Sequence, residues 1–324
     1  MLIINSPFSD PYINIAAEEY YVKHSNDDMC LIWINDESVI IGKHQNAYAE
    51  INYSYLKARN IPVIRRISGG GAVYHDKGNL NFSFITKTGT ANQVDFSKFT
   101  SVIVKFMQSL GLDVNISKRN SLFIGNLKFS GHAEHIFHNR ILHHGTILFS
   151  TDLVTLESAI SPDREYLSKA MASVRSDVGN IAPLLPHYTD IHQFTKQFIS
   201  WLIYFYKGSS LYESRPDEIE TINYLAETKY KTWEWNFGYS PSYSFTIHLQ
   251  SFTNSISVTF KVERGKFVQI DSSQPANKPF PSVLSNLIGK FHKEEEIDNF
   301  VQNNLPELEQ TGINTVSFRE LFFS

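Results

Sequence analysis

The sequence predicts an α+β protein built from one large and one small domain. Three observations carry this. The chain is 324 residues long, more than one compact domain usually holds. Its first 150 residues alternate between strand-like and helix-like segments. From Phe245 onward the texture becomes three short strands followed by helical segments, so we place the boundary near residue 244, giving domains 1–244 and 245–324.

The elements follow from local pattern. Residues 2–4 form a short strand. Residues 14–23 read as a helix with Ala16, Ala17, Tyr20 and Tyr21 toward the core and Glu18 and Glu19 in its first half. Residues 30–34 and 38–41 are apolar and β-branched, and Asn35-Asp36 supplies the turn between them. A helix over 53–59 precedes Pro62 and a strand over 63–67. Residues 81–86 alternate Phe82 and Phe84 with polar neighbours, the pattern of a half-buried strand. Residues 96–110 form an amphipathic helix. Strands at 122–124 and 127–129 flank Gly125-Asn126, a two-residue hairpin signal. Residues 141–149 are another strand. Residues 163–172 and 191–206 look helical, and 230–243, rich in Trp, Tyr, Gly and Pro, reads as a packed linker. Strands at 245–249, 255–262 and 266–270 and helices near 283–291 and 295–303 complete the chain.

Composition narrows the function. A formal net charge of −4 argues against bulk binding of nucleic acid or anionic membrane. No run of about 18 apolar residues predicts a membrane-spanning helix, and the first residues lack a secretory pattern. The lone cysteine, Cys30, allows no intramolecular disulfide and fits a reducing cytoplasm. A monomer is the default. With 14% aromatic residues, any pocket is expected to be aromatic-rich.

Three stretches can carry chemistry. The first is Arg65-Arg66-Ile67-Ser68-Gly69-Gly70-Gly71-Ala72-Val73-Tyr74-His75-Asp76. Three glycines after a strand let the backbone approach a ligand, and successive N–H groups in such a turn make an anion-binding nest. Two arginines before it offer planar forks to phosphate or carboxylate. The bland alternative is a tight turn, since neither a P-loop nor a dinucleotide fingerprint is present. The second stretch is Lys128-Phe129-Ser130-Gly131. A hairpin lysine here can pair with a phosphate and polarise a carbonyl, although most lone lysines are simply solvated. The third is His143-His144-Gly145-Thr146. Adjacent strand residues face opposite ways, so one histidine faces a site and the other packs, and a zinc site is not expected.

Taken in order, these motifs resemble the lipoate–protein ligase family. Asn14-Ile15-Ala16-Ala17-Glu18-Glu19, Ile41-Gly42-Lys43-His44-Gln45-Asn46, Gly78 to Phe84, Ser173-Val174-Arg175-Ser176 and Trp233 to Gly238 extend the match over nearly the whole chain. The resemblance implies a central mixed, mostly antiparallel sheet flanked by helices, the biotin/lipoate ligase-like fold. It implies that lipoate and ATP, with Mg²⁺, give lipoyl-AMP, which a lysine of an acceptor then attacks. The nucleotide is expected at Arg66, Gly71, Ala72, Val73, Tyr74 and Lys128. Lipoate is expected at Arg65, Ser68, Gly69, Gly70, His75, Lys128 and His144, with Lys128 the catalytic group. The implied partners are apo lipoyl domains of 2-oxoacid dehydrogenase E2 subunits and the glycine-cleavage H protein.

This chain departs from the family pattern at Ser121, where many members carry Asp, and at Ala133-Glu134-His135, where many carry an arginine; Arg140 lies further along. Three other readings compete. An octanoyltransferase of the same fold needs a thiolate, and only Cys30 offers one. A lipoyltransferase would accept preformed adenylate without making it. A non-catalytic acyl-carrier-binding module would keep the pocket and lose the chemistry.

Overall fold

The structure, a computed structural model, describes residues 1–88, 96–250, 255–274, 279–310 and 315–323. The chain divides into two compact units. The first comprises Met1–Lys43, Ile61–Ser158 and Ser173–Thr232; the second comprises His44–Asn60, Ala159–Ala172 and Trp233–Ser324. A single cut near residue 244 was expected. The division instead falls at 232/233, and two earlier segments join the second unit.

A mixed six-stranded sheet centres the first unit. Its strands run, edge to edge, His132–Phe137, Arg140–Leu148, Asn79–Lys87, Met29–Ile34, Leu2–Asn5 and Ser210–Leu211. The first three neighbouring pairs are antiparallel and the last two are parallel. Asn79–Lys87 is central and buried along all but its last residue, rather than half-buried. Several of its polar positions are bonded: Asn79 donates to Asn81 at 2.9 Å, and Ser83 donates to Glu18, while Thr86 Oγ1 is buried without a partner among the described residues. Phe82, Phe84, Phe99, Phe106, Phe129 and Phe198 fill the core of this unit.

The turn at Asn35-Asp36 joins two different sheets rather than a hairpin. Ser38–Ile41 pairs with Val63–Arg65 and Val73–His75 in a separate three-stranded sheet. Asn35 is fully buried and pegs the crossing, accepting from Asn14 at 2.9 Å and donating to His75 Nδ1 at 3.0 Å. The hairpin at Gly125-Asn126 forms as its sequence predicts, with Gly125 at φ +56°.

The first helix, Pro11–His24, is capped by Asp10, which accepts from Tyr12 N–H at 2.8 Å. Its buried face carries Glu18 and Glu19 together with Ile15, Ala16 and Tyr21. Ala17 and Tyr20 are only partly covered, so the buried face differs from the predicted one.

In the second unit, strands Tyr243–Gln250, Ser255–Glu263 and Lys266–Ser272 form an antiparallel sheet. Residues 163–172 are not helical. Leu167–Ser168 adds to this sheet by pairing with Tyr243 and Ser244, and the gained ladder overrides helix propensity. Phe245, Phe260, Phe267, Ile297, Phe318 and Phe322 make the second core. His292 lies fully buried there; Tyr243 donates to its Nδ1 at 2.7 Å and its Nε2 donates to Phe322 O at 2.9 Å.

Candidate active site

The glycine loop is shaped by close approach and by two buried guanidinium groups. A Cβ on Gly42 would lie 2.1 Å from Gly70 O, so glycine is required where the two segments cross. Gly70 itself sits at φ +89°. Arg65 is fully buried, and its Nη1 donates to Gly42 O at 3.0 Å and Lys43 O at 3.1 Å. Arg66 donates from Nη2 to Gly69 O at 2.6 Å and Gly71 O at 2.7 Å, from Nη1 to Ile40 O at 3.0 Å, and from Nε to Ser68 Oγ at 3.0 Å. The forks expected to face an anion therefore close on the chain's own carbonyls and hold the loop open. Ala72 N–H donates to Ser173 Oγ at 2.8 Å. Tyr74 turns its hydroxyl away to Glu37 at 2.9 Å, leaving Gly71 to Val73 as half-buried backbone.

Below the loop runs a buried polar chain. His144 Nε2 lies 2.6 Å from Ser68 Oγ, and its Nδ1 lies 2.7 Å from Glu18 Oε1. A proton on Nδ1 facing the carboxylate leaves Nε2 to accept from Ser68. Glu18 Oε2 is buried without a partner among the described residues. His75 Nδ1 is matched by the Asn35 amide, so its proton sits on Nε2, which is also buried and unpartnered among the described residues. Burial, with Arg66 and His144 nearby, pushes the His75 pKa down to about 3, so the ring is neutral. An orphaned donor and an orphaned acceptor in one interior region are what a polar ligand group would satisfy. Sequence reasoning placed His75, His144 and Ser68 here but missed Glu18; its signal was an acid on the helix face turned to the sheet.

Lys128 is anchored through its backbone. Its N–H donates to Asp177 O at 2.9 Å, and its carbonyl accepts from Gly179 at 3.0 Å. The side chain is half-buried and runs along Gly131, where an added Cβ would stand 3.4 Å from its Nζ. Among the described residues no carboxylate lies within ion-pair range of it, and burial pushes its pKa down. The two neighbouring histidines face opposite ways. His143 turns from the glycine loop to Glu134 at 2.7 Å and to His132 at 2.9 Å, and His132 reaches Ser130 at 3.1 Å.

The departures also find places. Arg140 is buried at the other end of its strand, donating to Asp27 O at 2.5 Å. His135 instead sits within electrostatic reach of Lys43, Glu19 and Lys23. Ser121 lies in the turn before the hairpin, its N–H on Ser117 Oγ at 3.1 Å. Cys30 is fully buried, and burial pushes its thiol pKa up, which disfavours a thiolate there. Among the described residues no group of three or more His, Cys, Asp or Glu is arranged to hold a metal ion. No described helix is long and apolar enough to cross a membrane.

Residues 10–203 match the lipoyl protein ligase A/B catalytic domain. That match sets the class: the protein is an enzyme, and its class is the ligases. Lipoate–protein ligase 1 of Staphylococcus aureus is 39% identical over 267 residues, covering 82% of this chain and 81% of the relative. Lipoate–protein ligase LplJ of Bacillus subtilis is 36% identical over 275 residues, covering 82% of each. A crystal structure of lipoate–protein ligase A bound with ATP superposes with a TM-score of 0.61 at 26% identity, over 74% of this chain and 98% of that one. LipL1 of P. falciparum, solved with lipoate, shares the fold over 98% of this chain and 97% of that one, at a TM-score of 0.62 and 22% identity. The chain belongs to the lipoate–protein ligase family.

Proposed function

We propose that the protein joins lipoate to ATP as lipoyl-AMP and then transfers the lipoyl group to a lysine of an apo lipoyl domain or H protein. The observation that carries this reading is Lys128: a half-buried ammonium with no carboxylate competitor among the described residues, on the hairpin that leads into the strand pair carrying His144. In the first step a lipoate oxygen attacks the α-phosphorus and the bond to the β-phosphate breaks, releasing pyrophosphate. Two anions must meet, and Lys128 with the N–H of Gly71 lowers that repulsion, while Ala72 and Val73 hold the loop's shape through Ser173 and the paired strand. Arg65 and Arg66 act through the loop they brace. Ser68, held by His144 and Glu18, and the neutral His75 Nε2–H line the acid's side. Mg²⁺ arrives on the nucleotide as part of the substrate.

In the second step the acceptor amine forms a bond to the acyl carbon, the bond from that carbon to the phosphate oxygen breaks, and AMP leaves. The amine's surplus proton goes to water. Lys128 stabilises oxygen charge in both steps, and no covalent intermediate on a side chain is required. The ATP-bound relative supports the nucleotide half of this reading.

The test is ATP-dependent transfer of lipoate to a panel of apo acceptor domains, read by intact mass, alongside pyrophosphate release. Transfer with pyrophosphate release supports the ligase. Transfer only from synthetic lipoyl-AMP would replace it by the transferase that cannot activate the free acid. Absence of both would overturn the reading.

A further inference from the structure

Beside the glycine loop, one carboxylate meets two lysines. Lys23 and Lys229 both donate to Glu19, at 2.5 and 2.6 Å, and Tyr230 donates to the same carboxylate. Glu19 is thus fully engaged. The adjacent acid, Glu18, is turned inward to His144 and Ser83. Lys43 is a third cation at this place. Its N–H donates to Ser68 O at 2.8 Å and its carbonyl accepts from Arg65, so its backbone is fixed to the glycine loop. Its ammonium has electrostatic contact with Lys229 and His135, and no ion pair holds it among the described residues. His135 lies on the loop's side of the sheet. Ala133, two residues earlier on the same strand face, stands 3.6 Å from where a Cβ of Gly70 would be.

Two ammonium groups therefore meet one carboxylate, and a third, that of half-buried Lys43, stands within electrostatic reach of Lys229 beside the glycine loop. A cluster serving only the fold would be expected to pair Lys43 with an acid, because like charges brought together out of water repel. We propose that Lys43 and Lys229, with His135 beside them, form the subsite for the polyphosphate tail of the nucleotide and for the pyrophosphate it becomes. This rests on the ligase reading above. Ammonium groups suit this ligand: each is a mobile point charge with three donors, able to follow phosphate oxygens as the bond to the α-phosphate breaks.

The test uses the full chain and three titrants: inorganic pyrophosphate, ATP and AMP, measured by calorimetry at fixed ionic strength. Lys43→Met strands no carboxylate, so it is the primary variant; Lys229→Met is the second, with its melting temperature recorded. Lys207→Met removes an exposed lysine elsewhere and controls for net charge. The expected result is that each primary variant weakens pyrophosphate and ATP by about tenfold or more, as loss of a charge-assisted contact does. AMP affinity should stay within about twofold, the control unchanged for all three. Wild-type affinity for pyrophosphate in Lys43→Met, or an equal loss for AMP and ATP, would overturn the subsite. If the wild-type chain bound neither ATP nor AMP, the ligase reading would fall, a result visible before any variant is made.

Discussion

At the scale of single residues, Lys128 and two buried side chains give separable expectations. Lys128→Ala should cut pyrophosphate release by about 10²–10³, the cost of losing one preorganised donor. Melting should change little, since Lys128 makes no ion pair among the described residues. A rate within threefold of wild type would remove it from the chemistry. Cys30→Ala should keep activity within about twofold while costing roughly 1 kcal/mol of stability from the cavity it leaves; abolished activity in a folded variant would point to a thiolate instead. The residue scale is also where the sequence was most legible. The motif order pointed to His144, His75 and Lys128, but not to Glu18, because an acid in an amphipathic helix is ordinarily read as solvated. Its buried position became visible only with the strand that carries Ser83 opposite it.

At the scale of elements, the glycines divide sharply. Gly42→Ala forces a Cβ onto Gly70 O, and either the loop or the strand before it must move. We expect a loss of at least tenfold in pyrophosphate release and a destabilisation of about 2–4 kcal/mol in urea melts. Gly69→Ala meets nothing within 4 Å and should melt like wild type. If the two variants melt alike, the close approach is not what requires glycine at 42. The hairpin at 122–130 was readable because Gly-Asn chemistry is local. The separation of 29–34 from 38–41 was not, because a buried Asn35 bonded to Asn14 and His75 makes the turn cross between sheets, and those partners lie 21 and 40 residues away. Residues 163–172 failed for a similar reason: their strand partner lies at 243–244.

At the scale of the whole molecule, the division into units defeats a linear scan. His44–Asn60 leaves the first unit and returns, carrying Tyr48 into the second core, where its hydroxyl donates to His292 O at 3.0 Å. A fragment ending at residue 244 should therefore expose Tyr48, Tyr53 and Phe237 and bind a hydrophobic dye strongly, whereas the intact chain should not. Equal dye binding would mean that residues 1–244 suffice. Each unit also holds a neutral buried histidine. Burial pushes His75 and His292 down to about 3, below the ordinary value of 6.5. Below 6.5 the unfolded chain takes up protons that these rings refuse until about 3. Their contribution is complete above pH 6.5 and is lost as pH falls through that window. By pH 4.5 each ring should lower stability by about 2–3 kcal/mol. His292→Phe should flatten that slope in denaturant titrations, and an unchanged slope would contradict the assignment.

The inward-facing guanidinium groups of Arg65 and Arg66 bear on how binding should look in a calorimeter. Carbonyls at 42, 43, 69 and 71 already have their donors, so the mould is cast when the chain folds and little ordering is left for the moment a nucleotide arrives. Association should then carry only a small conformational entropy penalty from residues 66–72. Amide exchange at Arg66 and Ala72, whose N–H groups already have acceptors, should be slow in the free protein and change little when the nucleotide is added, whereas exchange at Gly71 should slow on binding.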